Sequence, residues 1–271
     1  DAAAIKVHVH TDDPGAALAL GTAVGTLEQV EIANMHKQAE QREERLLHVV
    51  ADASASLSEV VAVVAGAGNR ALFESSGATQ LVEGGQSMNP SAAELLAAVD
   101  RTDAPSVFVL PNNSNVILAA EQAADLATRD VRVIRTDSIP AGLAALVAFD
   151  SLKDADANAE AMEEALASIA TGAVTIASKD AQLNGVAISK GNFLGLAGGE
   201  PVAQGADFDD VAYAVFERLL AEPRGFVTLL TGSDSPDVKN LVAALEREHP
   251  DLELEVHEGG QPHYPLLVSA E

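Results

Sequence analysis

Between residues 46 and 170, short apolar β-branched runs alternate with helical patterns. VVAVVA precedes a helix near Arg70, and TQLV precedes one that starts at Ser91. SVFVL precedes VILAAEQAADLA, and VRVI precedes AGLAALVAF. A helix between two strands must cross the sheet, so successive strands run parallel and both sheet faces are covered. A further helix, NAEAMEEALASIA, is expected to close this region at Gly172.

Residues 171–271 are patterned differently. AVTIAS, VAIS, NFLGLA and EPVAQG are short strands separated by Gly and Asn turns, which predicts antiparallel hairpins. Then follow a helix (DDVAYAVFERLLA), a strand (GFVTLL), a helix (DVKNLVAALEREH), a strand (LELEVH) and a final strand (PLLVSA). The expected class is α/β, with a parallel lobe over 46–170 and a mixed α+β lobe over 171–271. VEGGQSMNP (82–90) and HEGGQPHYP (257–265) share Glu-Gly-Gly-Gln at a strand end. No other likeness joins the two lobes, which favours two turns built alike over a duplication.

Ahead of both lobes, residues 1–35 read as a strand–helix–strand unit. IKVHVH alternates with period two. Asp13 and Pro14 suit the N-cap and first position of the helix GAALALGTAV, and LEQVEIANM is a second strand. The unit is small for a domain and reads as the end of one. HKQAEQREER, residues 36–45, is densely charged and reads as a linker or a solvated helix between domains. Asp1-Ala2-Ala3-Ala4 lacks an initiator Met and runs straight into a strand, which predicts either a chain cut from a longer one or a true beginning upstream of Asp1.

Composition narrows function. No apolar run approaches the ~20 residues of a membrane span, and no signal peptide is recognisable. There is no Cys, hence no disulfide and no thiolate metal ligand, and a cytoplasmic setting is expected. The net charge of −25 opposes contact with a nucleic-acid backbone, which needs clustered Lys and Arg. It serves solubility or a basic partner protein.

Three groups of residues carry chemical potential. His8 and His10 are i and i+2 on a strand, so both imidazoles face one side. Two such groups suit Zn²⁺ at about 2.0–2.1 Å, with Asp12, Asp13 and His36 as local candidates for a third ligand; they equally suit a solvated strand face. The second group lies beyond the carboxyl ends of the parallel strands, where open α/β sheets bind ligands. It comprises Gly66, Gly68, Gly84, Gly85, Gln86, Ser87, Asn89, Asn112, Asn113, Ser114, Thr136 and Ser138. Its glycines suit close backbone approach to an anion. Helix capping is the competing reading: Asn89-Pro90, the Ser91/Glu94 capping box and Asn115 all suit caps. The third group is His263 and Tyr264, held between prolines in GGQPHYP, either a docking surface or a strand-to-strand turn.

Taken together, IKVHVHTDDPG, the pair VEGGQSMNPS and LPNNSNVILAAEQAA, and the terminal VHEGGQPHYPLLVS resemble the dihydroxyacetone-kinase-related proteins, in particular the YloV-like fatty acid kinases. The resemblance runs over essentially the whole chain and implies the back half of such a protein. It implies a DhaL-type domain elsewhere that handles ATP and Mg²⁺, and a middle-domain zinc site in which His8 and His10 join one Cys. It further implies a two-lobed DegV-like domain that docks a DegV-type fatty-acid-binding partner, whose acyl carboxylate is phosphorylated. The full-length protein is expected to be a homodimer, and this chain alone to be inactive. Two alternatives are a stand-alone DegV-like binder of an acyl chain or small anion, and a metal-dependent hydrolase or phosphatase at the HVH strand.

Overall fold

The computed structural model describes residues 14–24, 56–85, 89–183 and 186–271. The HVH strand, the LEQVEIANM strand, the charged linker, Gln86 and Ser87 lie outside the described residues. Two compact units divide the chain, Asp1–Ser54 and Ala55–Glu271. In the first, helix α1 (Pro14–Val24) starts at Pro14, as its sequence predicts.

The second unit begins with a four-stranded, all-parallel sheet in the order β2-β1-β3-β4. Its strands are β1 (Ser58–Val64), β2 (Gln80–Glu83), β3 (Ser106–Leu110) and β4 (Asp130–Val133). Helices α2 (Ala67–Ser75), α3 (Ala92–Val99), α4 (Ile117–Leu126), α5 (Ile139–Ala148) and α6 (Ala155–Ser168) complete the lobe. Central strand β1 is apolar throughout because both its faces are covered. Val61 and Val63 pack with Leu95, Val99 and Ala120 of α3 and α4. Val60, Ala62 and Val64 point the other way, into a cluster with Phe73, Leu146 and Met162.

Local signals place the helices. Ser91 caps α3 in a reciprocal box with Glu94. The backbone N–H of Ser91, followed by its hydroxyl, holds the Glu94 carboxyl below its ordinary pKa. Ser138 and Asp154 cap α5 and α6. Asn115 does not cap α4. Its own backbone N–H donates to Asn113 Oδ1 at 2.9 Å, and Val116 occupies the cap position without a side-chain bond.

The second lobe is a mixed sheet ordered β11-β10-β12-β5-β8-β9. It comprises β5 (Ala170–Ile176), β8 (Phe193–Ala197), β9 (Glu200–Gly205), β10 (Phe226–Thr231), β11 (Glu253–Glu258) and β12 (Leu266–Ala270), with a hairpin of β6 (Ala181–Leu183) and β7 (Val186–Ile188) alongside. The expected antiparallel pairings are present at β5/β8 and β8/β9. Gly172 does not stop a helix. The preceding helix ends at Ser168, and Gly172 lies inside β5, where a Cβ would come within 2.5 Å of Val215 Cγ1. It lets α7 (Phe208–Leu219) pack closely on the sheet. With α8 (Lys239–Glu248), α7 covers one face, where Val227, Leu229, Leu266 and Val268 are buried.

The opposite face meets the first lobe. Leu230 and Leu267 alternate away from α7 and α8 and enter the same cluster as Val60, Phe108 and Leu146. Each such burial contributes about 1.5–3 kcal/mol, so the two lobes share one apolar core. The EGGQ echo is topological as well as local. Each copy ends a parallel strand–helix–strand unit at the edge of its sheet, β1-α2-β2 in one lobe and β10-α8-β11 in the other.

Candidate functional site

In the strand order β2-β1-β3-β4, the chain reverses direction of winding between β1 and β3, which is where an open α/β sheet leaves its crevice. Asn112, just past β3, fills that crevice. It adopts φ 55°, a left-handed conformation that asparagine tolerates. Its Nδ2 donates to the Val63 carbonyl at 2.9 Å. Its backbone N–H donates to Thr136 Oγ1 at 3.0 Å, and the Thr136 hydroxyl donates back to Asn112 Oδ1 at 2.8 Å. Thr136 is wholly buried. Gly142 of α5 lies under this network: a Cβ there would stand 1.9 Å from Asn112 Oδ1. Asn112 and Thr136 therefore come together, as the sequence suggests, but satisfy each other.

The glycines after β1 serve lobe packing. A Cβ on Gly68 would lie 1.6 Å from the Glu258 carbonyl oxygen, and one on Gly66 would lie 2.4 Å from that of Gly259. The Asn69 N–H, at the start of α2, donates to the Gly259 carbonyl at 3.0 Å. Buried Asn69 also donates through Nδ2 to Gln261 Oε1 at 3.0 Å and to the Ala65 carbonyl at 2.9 Å. Gln261 is 2% exposed, and its Nε2 donates to the carbonyls of Leu230 and Tyr264. The backbone around Gly66 and Gly68, read as an anion loop, thus packs against the second lobe's GGQ turn. Neither Asn69 nor Gln261 stood out in sequence, although the repeated EGGQ marked the turn.

The remaining sequence candidates are spread around the same sheet end. The Gly84 N–H donates to the Val64 carbonyl at 3.3 Å, and Gly85 packs beside Ala65. Asn89 and Ser114 are exposed, and the Asn113 side chain turns back on its own loop. Ser138 serves as the α5 cap.

An open cleft survives at the carboxyl end of the second sheet. Thr175, Ile176, Asp234, Gln261, His263, Tyr264 and Pro265 line about 150 Å³. His263 holds φ 68°, a left-handed conformation unusual for histidine, while the Thr175 hydroxyl donates to its carbonyl at 2.8 Å. A second cleft, of about 240 Å³, lies at the far end of that lobe between Leu220, Arg224, Glu248 and His249. In the first turn of α7, Asp209 is raised above its ordinary pKa, first by burial and then by repulsion from Asp207, Asp210 and Asp237. Among the described residues, no group of three or more His, Asp or Glu side chains is placed to hold a metal ion. None of their helices is long and apolar enough to cross a membrane.

Comparison with known proteins decides the family. Residues 59–271 match the FakA-like C-terminal domain of fatty acid kinase, and residues 1–42 match the FakA-like middle domain. The chain belongs to the FakA-like fatty acid kinase family. Protein YloV of Bacillus subtilis is 34% identical over 100% of this chain and 50% of its own length. This FakA-like chain spans about half the length of the curated relatives it matches. Its fold is that of DegV-family proteins. The DegV family protein Cg2579 of Corynebacterium glutamicum aligns with a TM-score of 0.58 at 14% identity, covering 80% of this chain and 97% of its own. The Streptococcus pneumoniae fatty acid kinase B3 protein, solved loaded with linoleic acid, aligns with a TM-score of 0.52 at 9% identity, covering 79% of this chain and 99% of its own.

Proposed function

We propose that this chain is the middle and C-terminal portion of a fatty acid kinase, and that its two-lobed unit docks a DegV-type fatty-acid-binding protein. Its role is related to fatty acid kinase by family. The observation that carries the docking reading is the filled space between the lobes. A DegV-like fold that closes its crevice with Asn112 and Thr136, and its lobe interface with Leu230, Leu267 and the Asn69–Gln261 pair, is suited to present a surface rather than to enclose an acyl chain. In the full-length homodimer, a DhaL-type domain holds ATP and Mg²⁺. The acyl carboxylate oxygen attacks the γ-phosphorus, and acyl phosphate and ADP result. This chain's part is to bring the loaded partner to that domain.

The test is direct. This chain, immobilised, is expected to bind a fatty-acid-loaded DegV-family protein from the same organism with a saturable isotherm. Absence of binding at micromolar partner concentrations would contradict the docking role.

Zinc belongs to the same proposal. His8 and His10, two residues apart in the sequence, would supply two imidazoles, and a third ligand would come from another part of the full-length protein. Zinc there would help hold the middle domain together. Metal analysis of the full-length protein is expected to find one zinc per chain, and His8→Ala to abolish it; unchanged zinc in the His8→Ala protein would remove these residues from the site.

A further inference from the structure

The cleft at the carboxyl end of the second sheet is shaped for one side chain. Ligand pockets for whole small molecules run to about 300–1,000 Å³, and this one offers about 150 Å³. Its floor is rigid. Gln261 is fixed by three hydrogen bonds, and the His263 backbone is held in its left-handed turn by Thr175. One side of it is apolar or aromatic, formed by Pro265, Tyr264, and Ile176, which leaves 47% of its surface in water, and Thr175, Gln261 and His263 line the rest. A single carboxylate, Asp234, stands at its lip, exposed and without an ion pair among the described residues. An apolar side beside one anionic lip fits a long alkyl stem that ends in a cation. The net charge of −25 adds long-range attraction for such a group.

We propose that this cleft is the anchor pocket for one lysine or arginine side chain of the docked fatty-acid-binding protein. The inference rests on the docking reading above. The stem lies along Ile176 and Tyr264, and the cationic head reaches Asp234. A preformed pocket spares the ordering cost on this side of the interface, as at the buried centre of other interfaces.

Titration of the whole chain with a fatty-acid-loaded DegV-family protein tests it, at low and at physiological salt. Asp234→Lys is expected to weaken binding by about tenfold, mainly through slower association. Asp234→Asn is expected to weaken it by about threefold and to flatten its salt dependence. Asp251 lines the other cleft, near Leu220 and Arg224, and Asp251→Lys, the same charge change there, is expected to stay within about twofold of the parent. Circular dichroism confirms that each variant is folded. Equal affinity of Asp234→Lys and the parent would overturn the anchor pocket while leaving docking intact. Equal weakening by Asp251→Lys would overturn it in favour of bulk charge. No binding by the parent chain would overturn both readings.

Discussion

Gly68→Ala is expected to destabilise the two-lobed unit by about 3 kcal/mol or more, at the upper end of what overpacking costs. The added Cβ would stand 1.6 Å from the Glu258 carbonyl oxygen, 2.8 Å from its carbon and 3.2 Å from Gly259 Cα. All three are backbone atoms, so no rotamer change relieves the clash. Either α2 shifts or the GGQ turn lifts, and the hydrogen bond from Asn69 N–H to the Gly259 carbonyl is stretched in both cases. A unit of this size loses about 2–4 °C per kcal/mol, so the melting temperature is expected to fall by about 6–12 °C. Gly77→Ala is the internal comparison. Gly77 has φ 104° but open space around its Cβ, so only the backbone conformation opposes the substitution, at about 1–2 kcal/mol. Thermal unfolding of the two variants separates the effects. Equal shifts, or a Gly68→Ala protein as stable as the parent, would mean that the lobes are not packed through this turn.

Gln261→Leu is expected to cost about 3 kcal/mol or more, because it strands three buried polar groups at about 1–3 kcal/mol each. Leucine fills a similar volume but offers neither donor nor acceptor. The Leu230 and Tyr264 carbonyls lose the Gln261 Nε2 donor, and one hydrogen of Asn69 Nδ2 loses its acceptor. Asn69→Leu strands two acceptors, the Ala65 carbonyl and Gln261 Oε1, against three groups for Gln261→Leu, so it is expected to cost less. The two side chains belong to one network. The double variant should therefore lose less than the sum of the single losses, by about 0.5–3 kcal/mol. Urea unfolding of the four proteins closes the cycle. Strict additivity would show that the Asn69–Gln261 contact carries no energy.

How far the sequence disclosed this structure depends on how far apart the interacting residues lie. Strand β1 was legible because its burial on both faces demands an unbroken apolar run, and SEVVAVV supplies it. The α3 cap was legible because Ser91 and Glu94 answer each other three residues apart. Gly172 misled for the same local reason. Glycine after a helical pattern resembles a stop, yet its cause is Val215 on a helix packed across β5. Gly66 and Gly68 resemble a phosphate loop for want of any local clue to what approaches them. Their neighbour is a turn some 190 residues on, and Asn69 and Gln261 are 192 residues apart. Asn112 and Thr136 could be placed on adjacent loops, since β3 and β4 run parallel in register. Their mutual hydrogen bonding is a matter of side-chain direction that strand pattern does not encode. Asp234 gave no sign, being one of 41 acidic residues in a strongly anionic chain.

The docking role is tested most directly by native mass spectrometry of this chain mixed with a fatty-acid-loaded DegV-family protein. The expected spectrum contains a complex whose mass is the sum of both chains plus one fatty acid, and no acyl adduct on this chain alone. Transfer of the fatty acid to this chain, with no complex of the two proteins, would contradict the reading and make it an acyl carrier in its own right.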